Sequence, residues 1–192
     1  MASVMLFCGE GGLVEVGIIG SDGLVGARIA IGSLHSPTQI TMQVAGPALK
    51  LRKSDFLHAY ETMPSLRTLV NTHLQRMLFQ AERNVACMAS HHLEARLCRW
   101  ILQAQDTLND EQLKVTHTAI AKALGAQRTS VSLIAHKLKR KGMIEYKRGR
   151  IKVLDRQALQ HAACGCYQLI RSQFSRESST QSQTEPRVTS AL

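Results

Sequence analysis

The alternation of hydrophobic and polar positions divides the chain into a β-rich first part and a helical remainder. Short β-prone runs at residues 4–8, 13–19 and 39–44 are separated by glycine and proline, which commonly occupy turns between antiparallel strands. A helix is predicted after these runs, with Ser54 as its N-cap. The pattern therefore predicts an antiparallel β domain of barrel or sandwich type, followed by helices.

Apolar residues recur with helical spacing from Pro64 to about residue 88 and predict one long helix. Its heptad positions are occupied by Leu74, Ala81 and Met88 on one side and by Val70, Met77 and Asn84 on the other. A single buried asparagine in such a seam fixes the register of a coiled coil. We predict that these six residues form the interface of a homodimer. The alternative is that the helix packs only on the β domain of its own chain.

A second pattern, at residues 113–155, predicts a helix-turn-helix. Thr116 can cap a short helix, and Gly125 supplies the positive φ that the turn between two helices needs. A second helix is predicted over 127–141, with an apolar stripe at Val131, Ile134 and Leu138. The second helix of such a unit can enter the major groove of DNA.

The segments around the helix-turn-helix extend it to a winged domain. Two β-prone runs, 143–146 and 151–154, are joined by the basic turn 147–150 and predict a wing directly after the second helix. A helix over 91–108 precedes the unit. Another helix, capped by Asp155 and running to about Phe174, follows it.

Composition at the C-terminus changes the prediction from helix to disorder. Residues 175–192 are dominated by Ser, Thr and Gln and are predicted to be disordered. The predicted organisation is a β domain at 1–62, a dimerisation helix at 63–89, a winged helix-turn-helix at 90–174 and a tail at 175–192.

The positive charge is concentrated in the winged segment. Residues 113–156 contain twelve Lys or Arg against two acids, Glu145 and Asp155, so this segment alone carries the chain's formal net charge of +10. Residues 1–112 carry nine basic against ten acidic residues, and 157–192 carry three against two. A merely solvated surface would spread its lysines, whereas a concentrated field attracts polyphosphate and releases counterions on binding.

Several other classes of protein and site are disfavoured by the residues present. No apolar run is long enough to span a membrane and no signal peptide is indicated. The five cysteines are odd in number and scattered, which is typical of reduced thiols in the cytoplasm. Cys164 and Cys166 are too close in sequence to make good zinc ligands together, and no second pair has ligand spacing, so buried thiols and no metal are expected. His91 and His92 are expected at the surface, and no catalytic constellation indicates an enzyme.

Four segments together resemble the Crp/Fnr family of bacterial transcription regulators. They are E-V-G-I-I-G-S-D-G-L-V-G at 15–26, L-E-A-R-L-C-R-W-I-L at 93–102, L-G-A-Q-R-T-S-V-S at 124–132 and K-R-G-R-I-K-V-L-D-R at 147–156. The resemblance covers about residues 4–174. It implies an α+β fold with a jelly-roll, cyclic-nucleotide-binding-like β domain, a long dimerisation helix and a C-terminal winged helix-turn-helix.

Departures from the family pattern modify what the resemblance implies. Only the latter half of the jelly roll precedes the long helix, so the chain is expected to start partway into the sensor domain. Ala27 and His35 stand where the family's phosphate cassette has glutamate and arginine, so no cyclic nucleotide and no cofactor is expected. On the second helix Arg128 matches the family pattern, whereas the glutamate and second arginine that follow it there are missing.

Residue chemistry assigns roles in DNA binding. The predicted base contacts are Arg128, bidentate to guanine, Gln127 to adenine, and Thr129 through its methyl group to thymine. The predicted phosphate contacts, which position the protein without reading sequence, are His117, Thr118, Ser130, Lys137, Lys147, Arg148 and Arg150.

The resulting prediction is a cytoplasmic, homodimeric transcription regulator that reads a two-fold-symmetric site in double-stranded DNA, with RNA polymerase as a further partner. Two alternatives remain. One is a shortened chain that pairs with a full-length relative and blocks it. The other is a ligand-binding module whose helix-turn-helix is vestigial.

Overall fold

A computed structural model describes residues 1–9, 12–33, 35–108, 110 and 112–182, with side chains described as far as Phe174. It contains two three-stranded sheets and seven α-helices within these residues, in the following order. The elements are β1 (Ala2–Phe7), β2 (Leu13–Ile19), β3 (Thr38–Met42), α1 (Lys53–Thr62), α2 (Pro64–Ser90), α3 (Leu93–Leu108), β4 (Gln112–Lys114), α4 (His117–Ala123), α5 (Arg128–Arg140), β5 (Ile144–Lys147), β6 (Arg150–Val153), α6 (Arg156–Ala162) and α7 (Cys166–Ser182). A 3₁₀ turn at Ala27–Ile31 lies between β2 and β3.

The first sheet is antiparallel, with strand order β2-β1-β3. The three predicted strands are present with small shifts of their ends. They form one open sheet in the described residues rather than the closed barrel or the sandwich expected from the turn pattern. This sheet and the winged domain together confirm the α+β class with a partial roll. Ala2, Val4 and Ile19 form a small core on one face of the sheet.

Helix α2 covers the edge of this sheet and satisfies its polar groups. The side-chain amide of Gln80 accepts a hydrogen bond from Ile18 N (2.9 Å) and donates to Ile18 O (3.3 Å). The side chain of Asn84 donates to Glu15 O at 3.3 Å. Because β2 is an edge strand, these contacts replace the missing neighbouring strand, which explains why two amide side chains are buried on an otherwise amphipathic helix.

The core of the winged domain is formed chiefly by α3, whose buried side is centred on Trp100 and Ile101. Helices α4 and α5, the sheet β4-β6-β5 and helices α6 and α7 contribute the remaining buried side chains. Ile18 of the first sheet also belongs to this core. The β domain and the winged domain are therefore packed against each other at β2.

Three expected helix boundaries differ from the structure. The predicted helix from 155 to 174 is broken at residues 163–165, so that α6 and α7 are separate helices, and α7 continues to Ser182. Residues 183–192 of the predicted tail lie outside the described residues. Ser54 lies inside α1, whose N-cap is Arg52, and its hydroxyl bonds to Asp55 instead of a backbone N–H.

Candidate nucleic-acid interface

The helix-turn-helix has the local geometry predicted from its capping residues. Thr116 Oγ1 accepts a hydrogen bond from Ala119 N at 3.1 Å and caps α4. Gly125 has φ 57°, a left-handed conformation that costs glycine little, in the turn between α4 and α5. Val131, Ala135 and Leu138 of α5 are buried, and Ile134 packs against the same core. The opposite face of α5 is therefore held outward.

The first turn of α5 presents polar side chains and unpaired backbone groups. Gln127, Arg128 and Thr129 are exposed, and Gln127, the N-cap residue, makes no side-chain cap hydrogen bond. The first turn contains no acidic residue. Because the N-terminus of a helix carries a partial positive charge and free N–H groups, this end of α5 is suited to an anion such as a DNA phosphate.

The wing is a tight hairpin in which β5 and β6 pair in antiparallel register, with Lys147 opposite Arg150. The turn residues Arg148 and Gly149 have φ values of 49° and 73°, as in the type I′ turns that suit the twist of hairpins. The side chains of Lys147, Arg148 and Arg150 are exposed. A Cβ on Gly149 would lie 3.7 Å from the methyl group of Thr116, so the wing tip lies beside the start of α4.

His117 has a structural position that differs from the predicted phosphate contact. It is 8% exposed, its Nδ1 is 2.9 Å from Ser132 Oγ of α5, and its ring stacks on Tyr146 of β5 with centroids 3.9 Å apart. Burial, with the nearby charges of His136 and Arg128, lowers the pKa of His117. This side chain therefore links α4, α5 and the wing from within the domain, and its contact with phosphate stays a prediction that its burial does not favour.

Lys137 also has a partner within the protein. Its Nζ lies 2.5 Å from Glu94 Oε2 of α3, and Lys141 lies 3.9 Å from the other carboxylate oxygen. The phosphate contact of Lys137 stays a prediction, and Glu94 competes with a phosphate for this cation. Thr118 is exposed and Ser130 partly exposed, as their predicted roles require.

Two residues of the outward face of α5 were missed by the sequence interpretation. Leu133 is 72% exposed, although Leu138, the other leucine of α5, is fully buried. His136 is exposed on the next turn. An apolar residue held in solvent one turn after Thr129 is unusual for a domain with a complete core, and the 3.6-residue period places it off the apolar stripe. That departure was the signal available in the sequence.

The predicted dimer residues mostly contact their own chain. Val70 is buried with Ala27 and Phe56, Leu74 packs on the same cluster, and Met77 packs against the core of the first sheet. Asn84 is bonded to its own β2, as described above. This packing agrees with the alternative interpretation, in which the helix packs on its own chain, and the two-chain seam stays a prediction. The outward face of α2 instead carries Leu78, which is 62% exposed, and Val85, which is 70% exposed.

Four residues that could bind a metal ion lie together between α2 and α7. Sequence spacing associated Cys164 only with Cys166, whereas the fold adds Cys87 and His91. The Sγ atoms of Cys87 and Cys164 are 3.4 Å apart. The hydrogen bond from Cys164 holds the pKa of Cys87 well below its usual range, while burial and that same bond raise the pKa of Cys164.

Comparison with known proteins places the winged domain in a described family. Residues 95–162 match the Crp-like helix-turn-helix domain. The chain is 30% identical over 106 residues to the transcriptional regulator SdrP of Thermus thermophilus, a match that spans 52% of each chain. The chain thus spans about half the length of this curated relative.

Solved structures share the fold over a larger part of the chain. A CRP/FNR-family transcriptional regulator from Thermus thermophilus superposes with a TM-score of 0.61 at 22% identity, covering 84% of this chain and 82% of that one. FixK2 from Bradyrhizobium japonicum gives a TM-score of 0.63 at 13% identity, covering 85% and 83%. At these identities the superpositions establish the fold alone. Across the described residues, no helix is both long and apolar enough to cross a membrane.

Proposed function

We propose that this chain is a transcription regulator of the Crp/Fnr type that binds a two-fold-symmetric site in double-stranded DNA as a homodimer. The observation that carries the proposal is the exposed N-terminus of α5 beside a basic wing, with His117 packed between them. A regulator of this kind would act in the cytoplasm, where bacterial DNA lies, and RNA polymerase would be a further partner.

Base reading is assigned to the outward side of α5. Arg128 is exposed and can make the bidentate contact with guanine O6 and N7 in the major groove. Gln127 has the amide that adenine requires, and Thr129 has a methyl group for thymine. Leu133, one turn further, adds a second apolar contact to a thymine methyl. These side chains lie on one helix end, as the docking of helix-turn-helix proteins requires.

Phosphate binding is assigned to the wing and to the ends of the two helices. Lys147, Arg148 and Arg150 provide three exposed cations on one hairpin. Thr118 and Ser130 provide hydroxyl groups in the first turns of α4 and α5. Such contacts set the register of the protein on DNA and make its affinity strongly dependent on salt.

Dimerisation is assigned to the outward face of α2. Leu78 and Val85 are seven residues apart and therefore on one face, and both are exposed in the single chain. Leu78→Asp should leave the protein monomeric in sedimentation, because it would bury a carboxylate at the centre of the apolar contact. Glu61→Gln, on the neighbouring helix α1, is the control and should leave the dimer intact.

The decisive experiment is selection of random duplex DNA by the purified protein at moderate salt, followed by sequencing. An inverted repeat with half-sites about one helical turn apart is expected. Arg128→Ala should weaken binding by roughly 1–3 kcal/mol and relax one position in each half-site. Arg52→Ala, exposed at the start of α1, should change neither.

Other outcomes distinguish the alternatives. Retention without an enriched sequence would contradict base reading by α5. No retention, together with formation of a mixed dimer with a full-length relative, would replace the proposal by the partner-blocking function. Unchanged DNA affinity in Arg128→Ala, with a thermal shift from a small molecule, would favour the ligand-binding module.

A further inference from the structure

The thiol–imidazole cluster consists of Cys87, His91, Cys164 and Cys166. The four ligand atoms all lie within 4.8 Å of one another, and the three cysteines are buried. Cys87 Sγ is 3.4 Å from Cys164 Sγ, and Cys166 Sγ is 3.8 Å from His91 Nδ1. Three thiols and one imidazole form one of the ligand sets that structural zinc sites use.

The spacing of the ligand atoms fits a tetrahedral ion. Zn–S bonds of about 2.3 Å and Zn–N bonds of about 2.0–2.1 Å give ligand–ligand distances of roughly 3.5–3.8 Å in a tetrahedron. The two contacts of 3.4 and 3.8 Å are opposite edges of that tetrahedron. An ion at the centre would therefore require only small movements of the side chains.

The backbone holds the four ligands on separate but fixed elements. Cys87 is in the last turn of α2, and His91 N donates to Cys87 O at 3.1 Å, which keeps the imidazole next to that turn. Cys164 lies between α6 and α7, and Cys166 is the first residue of α7. Tyr167 N donates to Cys164 O at 3.1 Å and fixes the two thiols of this loop relative to each other.

The surroundings of the cluster differ from those of an ordinary buried cysteine. Cys98 is fully buried in the apolar core of the winged domain, and burial raises its pKa to about 12. The cluster instead lies near Arg96 and Arg99, whose Nε atoms are buried without hydrogen-bond partners among the described residues. Two nearby guanidinium groups offset the negative charge that three thiolates keep after binding one divalent cation.

We propose that Cys87, His91, Cys164 and Cys166 bind one Zn²⁺ ion as a structural site. The ion connects the C-terminal turn of α2 to the start of α7, and thereby fixes the orientation of the long helix relative to the winged domain. The proposed site revises the sequence-based expectation of buried thiols without a metal, because the two ligands that complete the set are distant in sequence.

The test is metal binding by the full chain, purified under reductant and stripped with a chelator. Titration with Co²⁺ should give one equivalent per chain, with a thiolate-to-cobalt charge-transfer band and the strong visible bands of tetrahedral cobalt. Zn²⁺ should abolish these bands. Cys164→Ser and His91→Ala should each weaken binding by more than roughly tenfold, the loss that changes of outer-shell residues already cause.

Matched controls separate the site from general thiol and imidazole binding. His92→Ala, beside His91, and Cys8→Ser, an exposed cysteine, should bind cobalt as the unmodified chain does. Circular dichroism of each variant checks that it is folded. Equal binding by His91→Ala and His92→Ala, or absence of the charge-transfer band in the reduced chain, would overturn the proposal. Persistence of a Cys87–Cys164 disulfide in the chain treated with reductant, seen by mass spectrometry after alkylation, would overturn it as well.

Discussion

The two halves of the molecule bury their apolar residues in different ways. The winged domain has one continuous core that includes α3, α4, α5, the wing and the C-terminal helices. Among the described residues, the first ninety contribute Ile18 to that core and otherwise form small clusters, such as those around Ile19 and Phe56. They also hold most of the exposed large apolar side chains, namely Leu6, Phe7, Val25, Ile31, Met42, Leu49, Leu51, Met63, Leu69, Leu78 and Val85.

This contrast indicates that the two halves differ in how far their stability depends on a second chain. The winged domain fills its own core and needs no second chain to do so. The first half leaves apolar surface on β1, β3 and α2, and the part on the outward face of α2 would be covered by a second copy in the proposed dimer. The proposed function follows the same division, because the winged domain carries the surface assigned to DNA and the outward face of α2 would provide the two-fold symmetry.

The largest effect is expected for a pair of isoleucine substitutions. Ile101 is 0% exposed at the centre of the winged core, so Ile101→Ala should lower the free energy of unfolding by about 4 kcal/mol. Ile19 is 7% exposed and lies in a small cluster. Ile19→Ala should lower the free energy of unfolding by only about 2 kcal/mol, because the sheet can collapse around the smaller side chain. Urea unfolding of both variants measures the difference, and equal losses would contradict the comparison.

A smaller effect is expected at Glu15, which joins the two halves. Glu15 Oε1 accepts a hydrogen bond from Trp100 Nε1 of α3 at 2.8 Å, and its other oxygen accepts one from Ser3. Burial is the largest effect on this carboxyl group and raises its pKa to about 7. The folded state therefore keeps a proton that the unfolded state releases between about pH 4.5 and pH 7.

The sign of the pH dependence follows from that proton. The contribution of Glu15 to stability is full below pH 4.5 and is lost as the pH rises through about 7, by up to about 3 kcal/mol. Glu15→Gln retains an acceptor for Trp100 and removes the charge. It should therefore be more stable than the unmodified chain at pH 8 and similar to it at pH 4. Urea unfolding across this range, with the exposed Glu61→Gln as control, tests the prediction; an unchanged slope would contradict it.

The sequence was sufficient for elements whose signal is local. The cap at Thr116, the turn at Gly125 and the wing are each specified by a few neighbouring residues, and the structure confirms them. The exposure of Arg128 follows from the same helical period. These are the parts in which local preference and tertiary packing agree.

Features that depend on distant residues could not be predicted in this way. The apolar pattern of α2 records only which face is apolar and not what covers it, so it leaves open whether the helix packs on its own chain or on a second one. His117 carries a polar ring whose burial depends on Ser132 and Tyr146. Cys87 and Cys164 are in contact although 77 residues apart, and no spacing rule relates them.

The smallest expected effect on stability is that of removing a capping side chain, and it can be compared between one candidate cap in each half. Both Thr116 and Ser54 have the side chain that a helix start favours, but only Thr116 accepts a backbone N–H. Thr116→Ala should therefore cost about 1 kcal/mol of unfolding free energy, whereas Ser54→Ala should cost almost nothing. Thermal unfolding of the two variants at one protein concentration gives the difference. A loss at Ser54 as large as that at Thr116 would mean that the start of α1 is capped in solution by Ser54, and the first half would then be more locally determined than its packing indicates.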